Sequence, residues 1–308
     1  MIVPLDELPE WLPAWCLEHL GSGPVGVLFQ VHHLSMVFGL GLARGLDVVV
    51  KARVDDGRAG SCVAAQAWLA ERGFLCARPL TPVIGVGSLA VHAEEFRSGG
   101  EMLRGDSPEV AVRYAEVFAR LMAELADVTV APPLPNPPWV RWDHDDPGVW
   151  PAIGDLDNRD QGAVPAYVAE TAERARRRTR AAGLPCVLGH ADFEAQNLRW
   201  HGQQIWAVHD WDSLAWQPEA ALAGAASGMF ASDGPPTLAP IESSAAFLAA
   251  YQDIRGRWFT AVEQEVAWAA SLWPAAYNAR EQALYGQAPV SGEALRAQAD
   301  ERLRLAKA

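Results

Sequence analysis

The side chains with the clearest chemical potential lie between positions 190 and 212. His190, Asp192 and Asn197 fall in one polar stretch, and Asp210 ends the second of the two apolar runs that follow. The turn His201-Gly202 separates those runs, which predicts a β-hairpin that brings Asn197 and Asp210 close together. A carboxylate can accept a proton from a hydroxyl group, and amide and carboxylate oxygens bind hard cations such as Mg²⁺. The segment therefore predicts a base at Asp192 and a metal site at Asn197 and Asp210.

The distribution of lysine singles out one more residue. The chain contains 25 Lys and Arg residues, of which only Lys51 and Lys307 are lysines. Lys51 directly follows the apolar run Val48–Val50. A compact ammonium group can act as a point charge on phosphate oxygens. Phosphoryl transfer needs such a cation, a carboxylate that orients the attacking hydroxyl and oxygen ligands for Mg²⁺.

A family resemblance rests on the spacing of these residues. The chain carries His190-x-Asp192-x-x-x-x-Asn197, with Asp210 downstream and Lys51 upstream. Over residues 25–225 this order resembles the aminoglycoside phosphotransferase and choline kinase family, which shares the protein-kinase fold. The resemblance implies that Asp192 is the catalytic base and that Lys51 binds the phosphates of ATP or GTP. It implies Asn197 and Asp210 as the Mg²⁺ ligands.

The same resemblance implies a nucleotide site in the first third of the chain. Ser35 would lie in the turn that covers the phosphates. The hinge, whose backbone would pair with the purine base, would be formed by Glu95, Phe96 and Arg97. The turn at residues 32–35 contains no glycine, in contrast to a Gly-rich nucleotide loop.

One family residue has no counterpart at its usual place. The family's helix glutamate, which pairs with the strand lysine, is replaced by Cys62, and Gln66 follows one turn later. Two arrangements are therefore open. Either Gln66 substitutes for the glutamate, or Lys51 is held only by ligand and metal.

The order of strand and helix patterns predicts an α+β fold. Runs rich in β-branched residues predict strands at 25–31, 36–42, 47–53 and 88–96. Helical spacing predicts helices at 62–72, 108–126, 165–182 and in three stretches between 216 and 306. With the resemblance, this implies a protein-kinase-like two-lobe fold. We expect a small β-rich, nucleotide-binding N-lobe at 1–97. We expect a larger, mainly α-helical C-lobe at 98–308, with the catalytic loop, the metal site and substrate-binding helices.

Composition limits the partners of the protein. A formal net charge of −13 disfavours nucleic acid and anionic membranes, and it favours a cationic small molecule in a cleft. The first residues do not have the pattern of a signal peptide. The four cysteines form no CxxC pair, so that neither a zinc site nor a disulfide framework is expected. These features predict a cytoplasmic protein, and the family resemblance implies a small hydroxylated substrate.

Several alternatives remain open at this point. The acceptor could be an antibiotic, as for a resistance enzyme, or a metabolic amino alcohol or sugar. The chain could instead be a pseudokinase-like module that binds nucleotide with weak or no turnover. A metal-dependent hydrolase is a third hypothesis, with the ligands His190, Asp192, His209, Asp210 and Asp212.

For His190 and Asp212 we expect structural roles rather than chemical ones. We expect the ring of His190 to fix the backbone near Asp210. We expect Asp212 to be a solvated turn residue rather than a metal ligand, since Asp is frequent in turns.

Overall fold

The computed structural model describes residues 7–32, 35–130, 134 and 136–308. These residues pack into two compact units. The first unit comprises the described residues of Met1–Gly100 and Thr129–Pro132 together with Trp206–Asp212. The second unit comprises the described residues of Glu101–Val128, Pro133–Ile205 and Ser213–Ala308. The division into 1–97 and 98–308 stays a prediction about domains. By its packing, Trp206–Asp212 belongs to the first unit.

The first unit is built on a five-stranded antiparallel sheet with the order β1-β2-β3-β5-β4. Its strands are β1 (Pro24–His32), β2 (Met36–Leu42), β3 (Asp47–Val54), β4 (Ile84–Val86) and β5 (Leu89–Glu95). Its helices are α1 (Trp11–Leu20) and α2 (Ala59–Glu71). The sequence patterns predicted β1, β2, β3, β5 and α2, and they missed α1 and β4. Within the predicted turn at 32–35, His33 and Leu34 lie outside the described residues.

Strand periodicity gives this sheet two different faces. Alternate residues of the three central strands point to one side, where they form a hydrophobic core with α1. The buried residues that these strands contribute are Phe38, Leu40, Leu42, Val48, Val50, Ala52, Val91 and Ala93. The intervening residues of β3 and β5, including Lys51 and Glu94, therefore point to the opposite face. Lys51 and Glu94 thus lie on the face of the sheet opposite the hydrophobic core.

The second unit is mainly helical. Its helices are α3 (Pro108–Leu125), α4 (Gly154–Asp157), α5 (Ala166–Ala181), α6 (Glu219–Met229), α7 (Ile241–Arg255), α8 (Ala261–Ala270), α9 (Trp273–Leu284) and α10 (Val290–Ala306). Strands β6 (Cys186–His190) and β9 (Leu214–Pro218) pair antiparallel, and β7 (Leu198–His201) pairs with β8 (Gln204–Val208). The predicted hairpin around His201-Gly202 is therefore present. It carries the chain from the second unit back to the first.

The prediction of three helical stretches between 216 and 306 is wrong. The structure has five helices there, α6 to α10, joined by short connections. Gly256 ends α7 with a left-handed backbone (φ 61°), and Thr260 begins α8 with a capping box to Glu263. Such brief interruptions leave the apolar periodicity of a long helix almost intact. No helix among the described residues is both long enough and apolar enough to cross a membrane.

Candidate active site

Lys51 lies in the interior of the first unit. Only 8% of its surface is exposed, although its side chain ends in a charge. Its Nζ atom lies 3.0 Å from Oε1 of Glu94 on strand β5. The register pairs Lys51 with His92, so Glu94 is two residues further along β5 and points to the same face. The sheet register therefore creates this ion pair.

The partner of Lys51 differs from both arrangements left open by the sequence. Gln66, on α2, donates through Nε2 to Oε2 of Glu94 (2.8 Å) and to the carbonyl oxygen of Ala77 (2.8 Å). Gln66 thus orients the carboxylate instead of replacing it, and Lys51 has a protein partner without ligand or metal. Sequence reasoning missed Glu94. One signal was available, because His92 and Glu94 interrupt an otherwise apolar strand at alternate positions.

Both members of this buried pair are held in their charged forms. Burial favours the neutral amine, but Glu94 and, more weakly, Asp212 and Asp210 raise the pKa of Lys51 above its ordinary value. Burial also favours the neutral acid, but Lys51 above all, followed by His92 and Gln66, holds the pKa of Glu94 below its ordinary value. The charged form of Lys51 therefore predominates around neutral pH.

The segment after β8 brings two acids to the first unit. Asp210 adopts a left-handed backbone (φ 59°), which is uncommon for residues other than glycine but tolerated by Asp. The next residue, Trp211, is buried and packs edge-on against Phe74, with ring centroids 5.9 Å apart. Its Nε1 donates to the carbonyl oxygen of Val208 (3.0 Å). The side chain of Trp211 thus fixes the position of the loop.

Asp212 is buried, so its interpretation as a solvated turn residue is wrong. Its Oδ2 lies 3.0 Å from Nη1 of Arg53, and its carbonyl oxygen accepts a hydrogen bond from Nη2 of Arg58 (3.1 Å). Burial favours the neutral acid, but Arg53 and, more weakly, Lys51, His92 and Arg58 hold the pKa of Asp212 below its ordinary value. Asp212 is therefore an ionised residue that binds two arginines.

The catalytic-loop motif is a compact local structure in the second unit. After β6 ends at His190, a 3₁₀ turn forms over Ala195–Asn197. Nδ2 of Asn197 donates to the carbonyl oxygen (2.9 Å) and to Oδ2 (2.8 Å) of Asp192. The buried ring of His190 accepts a hydrogen bond at Nδ1 from the backbone N–H of Asp192 (3.3 Å). His190 therefore holds the backbone of the predicted base itself.

The side chains predicted to bind Mg²⁺ fit this cation chemically. Both hydrogens of the Asn197 amide are directed to Asp192, so the side-chain oxygen is the atom that Asn197 can offer to a cation. Asp210 adds a carboxylate. A neutral amide oxygen and a carboxylate oxygen are each ligand types suited to a hard divalent cation.

The predicted hinge residues lie at and after the end of β5. The backbone N–H of Glu95 donates to the carbonyl oxygen of Arg78 (2.9 Å), and that of Phe96 donates to the carbonyl oxygen of Asp47 (3.4 Å). These two amides are thus used within the protein. A purine would have to pair with the carbonyl groups of this segment or with the N–H of Arg97.

Arg97 and Ser35 are the other two residues that are predicted to bind the nucleotide. Arg97 donates through Nη1 to the carbonyl oxygen of Cys76 (3.0 Å), and its guanidinium group lies 4.7 Å from the ring centroid of Trp206. Ser35 is half-buried and directly precedes β2. Nucleotide binding by both residues stays a prediction.

Solved structures with the same architecture are numerous. An amicoumacin kinase in complex with AMP-PNP and Ca²⁺ superposes with a TM-score of 0.62 at 11% identity, covering 90% of this chain and 87% of that chain. An aminoglycoside phosphotransferase from Alicyclobacillus acidocaldarius gives 0.56 at 14% identity, covering 99% and 95%. An aminoglycoside phosphotransferase bound to ADP and hygromycin B gives 0.57 at 14% identity, covering 96% and 99%. This chain has the protein-kinase-like fold of the aminoglycoside phosphotransferases.

The prediction of a protein-kinase-like α+β fold is thereby confirmed. No family model and no curated protein sequence matches the chain. At identities of 11–14% these likenesses establish the fold alone, so the activity has to be argued from the side chains.

Proposed function

We propose that this protein is a phosphotransferase that moves the γ-phosphoryl group of ATP or GTP to a hydroxyl group of a small molecule. The observation that carries the proposal is the buried Lys51–Glu94 ion pair. This ion pair supplies a fixed positive charge, and the fold that contains it is one that known phosphotransferases share. The acids Asp210 and Asp212 lie near enough to raise the pKa of this lysine, which ties the ammonium group to the loop that would bind Mg²⁺.

Asp192 has the chemistry for the proton transfer. Its carboxylate would orient the acceptor hydroxyl and take its proton as the oxygen attacks the γ-phosphorus. Asn197 holds one carboxylate oxygen, and His190 holds the backbone N–H, so the orientation of Asp192 is fixed before a substrate binds. Such preorganisation lowers the cost of reaching the reactive geometry.

The phosphate groups would be held by cations. Lys51 would contact phosphate oxygens as a point charge, while Asn197 and Asp210 would hold Mg²⁺. When bound, this ion neutralises charge on the β- and γ-phosphates. The predicted nucleotide residues Ser35, Glu95, Phe96 and Arg97 belong to the same proposal.

Both alternative functions lose support from specific contacts. The pseudokinase-like hypothesis rested on the absent helix glutamate, but Glu94 supplies a carboxylate to Lys51 from β5. The hydrolase hypothesis needs Asp212 as a metal ligand, yet its carboxylate is already paired with Arg53.

Charge and two of the structural neighbours support a proposal for the class of the acceptor. The net charge of −13 favours a cationic acceptor. Two of the neighbours were solved as an amicoumacin kinase and as a hygromycin B complex. We therefore place an antibiotic, which would make this a resistance enzyme, ahead of a metabolic amino alcohol or sugar.

The test is nucleoside triphosphate consumption over a panel of hydroxylated amines, antibiotics and sugars. Asp192→Ala should reduce transfer by on the order of 10²–10⁴-fold with nucleotide binding almost unchanged. Asp210→Ala should weaken Mg²⁺-dependent nucleotide binding as well. Asp127→Ala, which removes an exposed acid after α3, is the matched control and should change neither quantity. Transfer by Asp192→Ala at the wild-type rate would contradict the assigned base.

A further inference from the structure

Asp212 is bound at two points by two arginines from different elements. Arg53 lies on β3, two residues beyond Lys51 and on the same face of the sheet, and it pairs with the carboxylate (3.0 Å). Arg58 precedes α2, is 3% exposed and donates to the carbonyl oxygen (3.1 Å). We refer to Arg53, Arg58 and Asp212 as the arginine clasp. All three residues belong to the first unit.

We propose that the arginine clasp positions Asp210 for Mg²⁺, with Asp212 as a positioning residue for the metal-binding acid. The inference rests on the proposed function, because it concerns the Mg²⁺ site named there. Asp212 acts through the backbone that it shares with Asp210.

The backbone of Asp210 explains why the loop needs an anchor. Its left-handed conformation (φ 59°) costs free energy for a residue with a side chain, so it persists only where the surroundings impose it. The two residues that follow are both fixed. Trp211 is buried against Phe74, and Asp212 is bound by Arg53 and Arg58. Asp210 itself is half-buried.

Charge gives the clasp a second effect. Asp210 and Asp212 lie two residues apart, and two carboxylates this close repel each other and attract the same cations. Arg53 neutralises Asp212 with a contact in which both side chains are 11% exposed. This contact offsets the charge of Asp212 and so weakens its repulsion of Asp210, the acid that we assign to Mg²⁺.

A buried ion pair is well suited to this task. Desolvation offsets much of its electrostatic attraction, so it adds little net stability, yet it fixes two side chains in one geometry. Arginine adds a rigid planar group whose donors have fixed directions. Arg53 stands on a central strand of the sheet, and Arg58 stands at the start of a helix.

The experiment measures Mg²⁺-dependent binding of a fluorescent ATP analogue, without acceptor, as the Mg²⁺ concentration is raised. Asp212→Asn keeps the shape and the carbonyl contact but removes the charge. It should raise the Mg²⁺ concentration at half-saturation by on the order of 10- to 100-fold, as for lost outer-sphere partners of metal ligands. Arg53→Gln should do the same, and it carries the test if Asp212→Asn does not fold. Arg53→Lys should restore most of the wild-type affinity.

The matched control is Glu265→Gln, which breaks an ion pair with Arg178 in the second unit. The Glu265 side chain is 13% exposed, close to the 11% of Asp212, so both variants remove a similarly shielded charge. The control should leave the Mg²⁺ dependence unchanged.

Two outcomes would overturn the inference, and they are distinguishable. If Asp212→Asn and Arg53→Gln lower the melting temperature but bind Mg²⁺ and nucleotide like the wild type, the clasp is only structural. If the wild type itself shows no Mg²⁺-dependent nucleotide binding, the proposed function fails, and the inference fails with it.

Discussion

The two groups of candidate catalytic residues are held in different ways. In the first unit, Lys51 and Glu94 form a buried ion pair that joins two strands and is completed by Gln66 from a helix. In the second unit, Asp192 and Asn197 are joined by hydrogen bonds within one short loop. The first arrangement depends on the register of a whole sheet, whereas the second depends on a few consecutive residues.

This difference predicts different sensitivities. A buried charge that loses its partner is left without solvation. A substitution that breaks the Lys51–Glu94 pair should therefore lower the stability of the fold. A half-buried loop residue that loses a hydrogen bond can turn towards water. Changes in the loop should therefore affect chemistry more than stability.

The largest effect is expected for Glu94→Ala. It leaves the ammonium group of Lys51 buried without its carboxylate, which should lower the free energy of unfolding by about 3–5 kcal/mol. Urea denaturation measures this change. Glu301→Ala is the control, because Glu301 and Arg304 form a solvent-exposed pair whose loss should change the free energy of unfolding far less. Equal decreases in the free energy of unfolding in the two variants would contradict this prediction.

The pH dependence of stability should identify the same pair. The folded pKa of Glu94 lies below its ordinary value of 4.5. Its contribution is therefore fully present above that value and is lost as the pH falls through the lower folded pKa. The difference in unfolding free energy between wild type and Glu94→Gln should shrink below pH 4.5, by about 1.4 kcal/mol for each unit between the two pKa values. A constant difference from pH 7 to pH 3 would contradict this assignment.

A smaller effect on stability is expected for Asn197→Ala. It removes two hydrogen bonds to Asp192, which together should contribute about 1–2 kcal/mol to the free energy of unfolding. Transfer should fall much more, because the base loses its orientation. Gln196→Ala is the neighbouring control, since that exposed side chain bonds to Glu194 instead. If Asn197→Ala destabilises the protein as much as Glu94→Ala, the contrast between the two arrangements is wrong.

The cysteines offer a probe of the same contrast that leaves the sequence unchanged. Cys16, Cys62 and Cys76 are buried in the first unit, and Cys186 of the second unit is exposed. Burial raises the pKa of Cys16 to about 11 and that of Cys76 to about 12, so these thiols should be unreactive at pH 8. A thiol reagent should modify only Cys186 in the native protein and the other three after unfolding, as measured by mass spectrometry. Rapid native modification of Cys76 would show that the interior of this unit opens easily.

The predictions are correct for features that residues close in sequence determine. The pattern at 36–42 predicted β2 with the bounds that the structure has. The polar motif from His190 to Asn197 lies in one short connection after β6, so its geometry depends on residues that are close in sequence. The density of β-branched residues at 47–53 likewise predicted β3, with Lys51 inside it.

The remaining features depend on contacts between distant residues. Glu94 contacts Lys51 because of the β3–β5 register. The family resemblance places the partner of Lys51 on a helix, and that expectation could not predict a residue of a neighbouring strand. Asp212 meets Arg53 and Arg58 across more than 150 positions of the chain. Local residue preferences instead favoured a solvated turn at Asp212. Long-range pairing thus accounts for the errors near the candidate site.

The most direct test of the phosphotransferase assignment uses the fact that the chain has only two lysines. An acyl phosphate derivative of ATP acylates a lysine that contacts its phosphates, and mass spectrometry identifies the modified residue. Lys307, whose side chain is 73% exposed, reports non-specific acylation in the same molecule. We predict Mg²⁺-dependent acylation of Lys51 that excess ATP prevents, with Lys307 insensitive to ATP. Modification of Lys307 without Lys51, or of Lys51 without protection by ATP, would contradict the account.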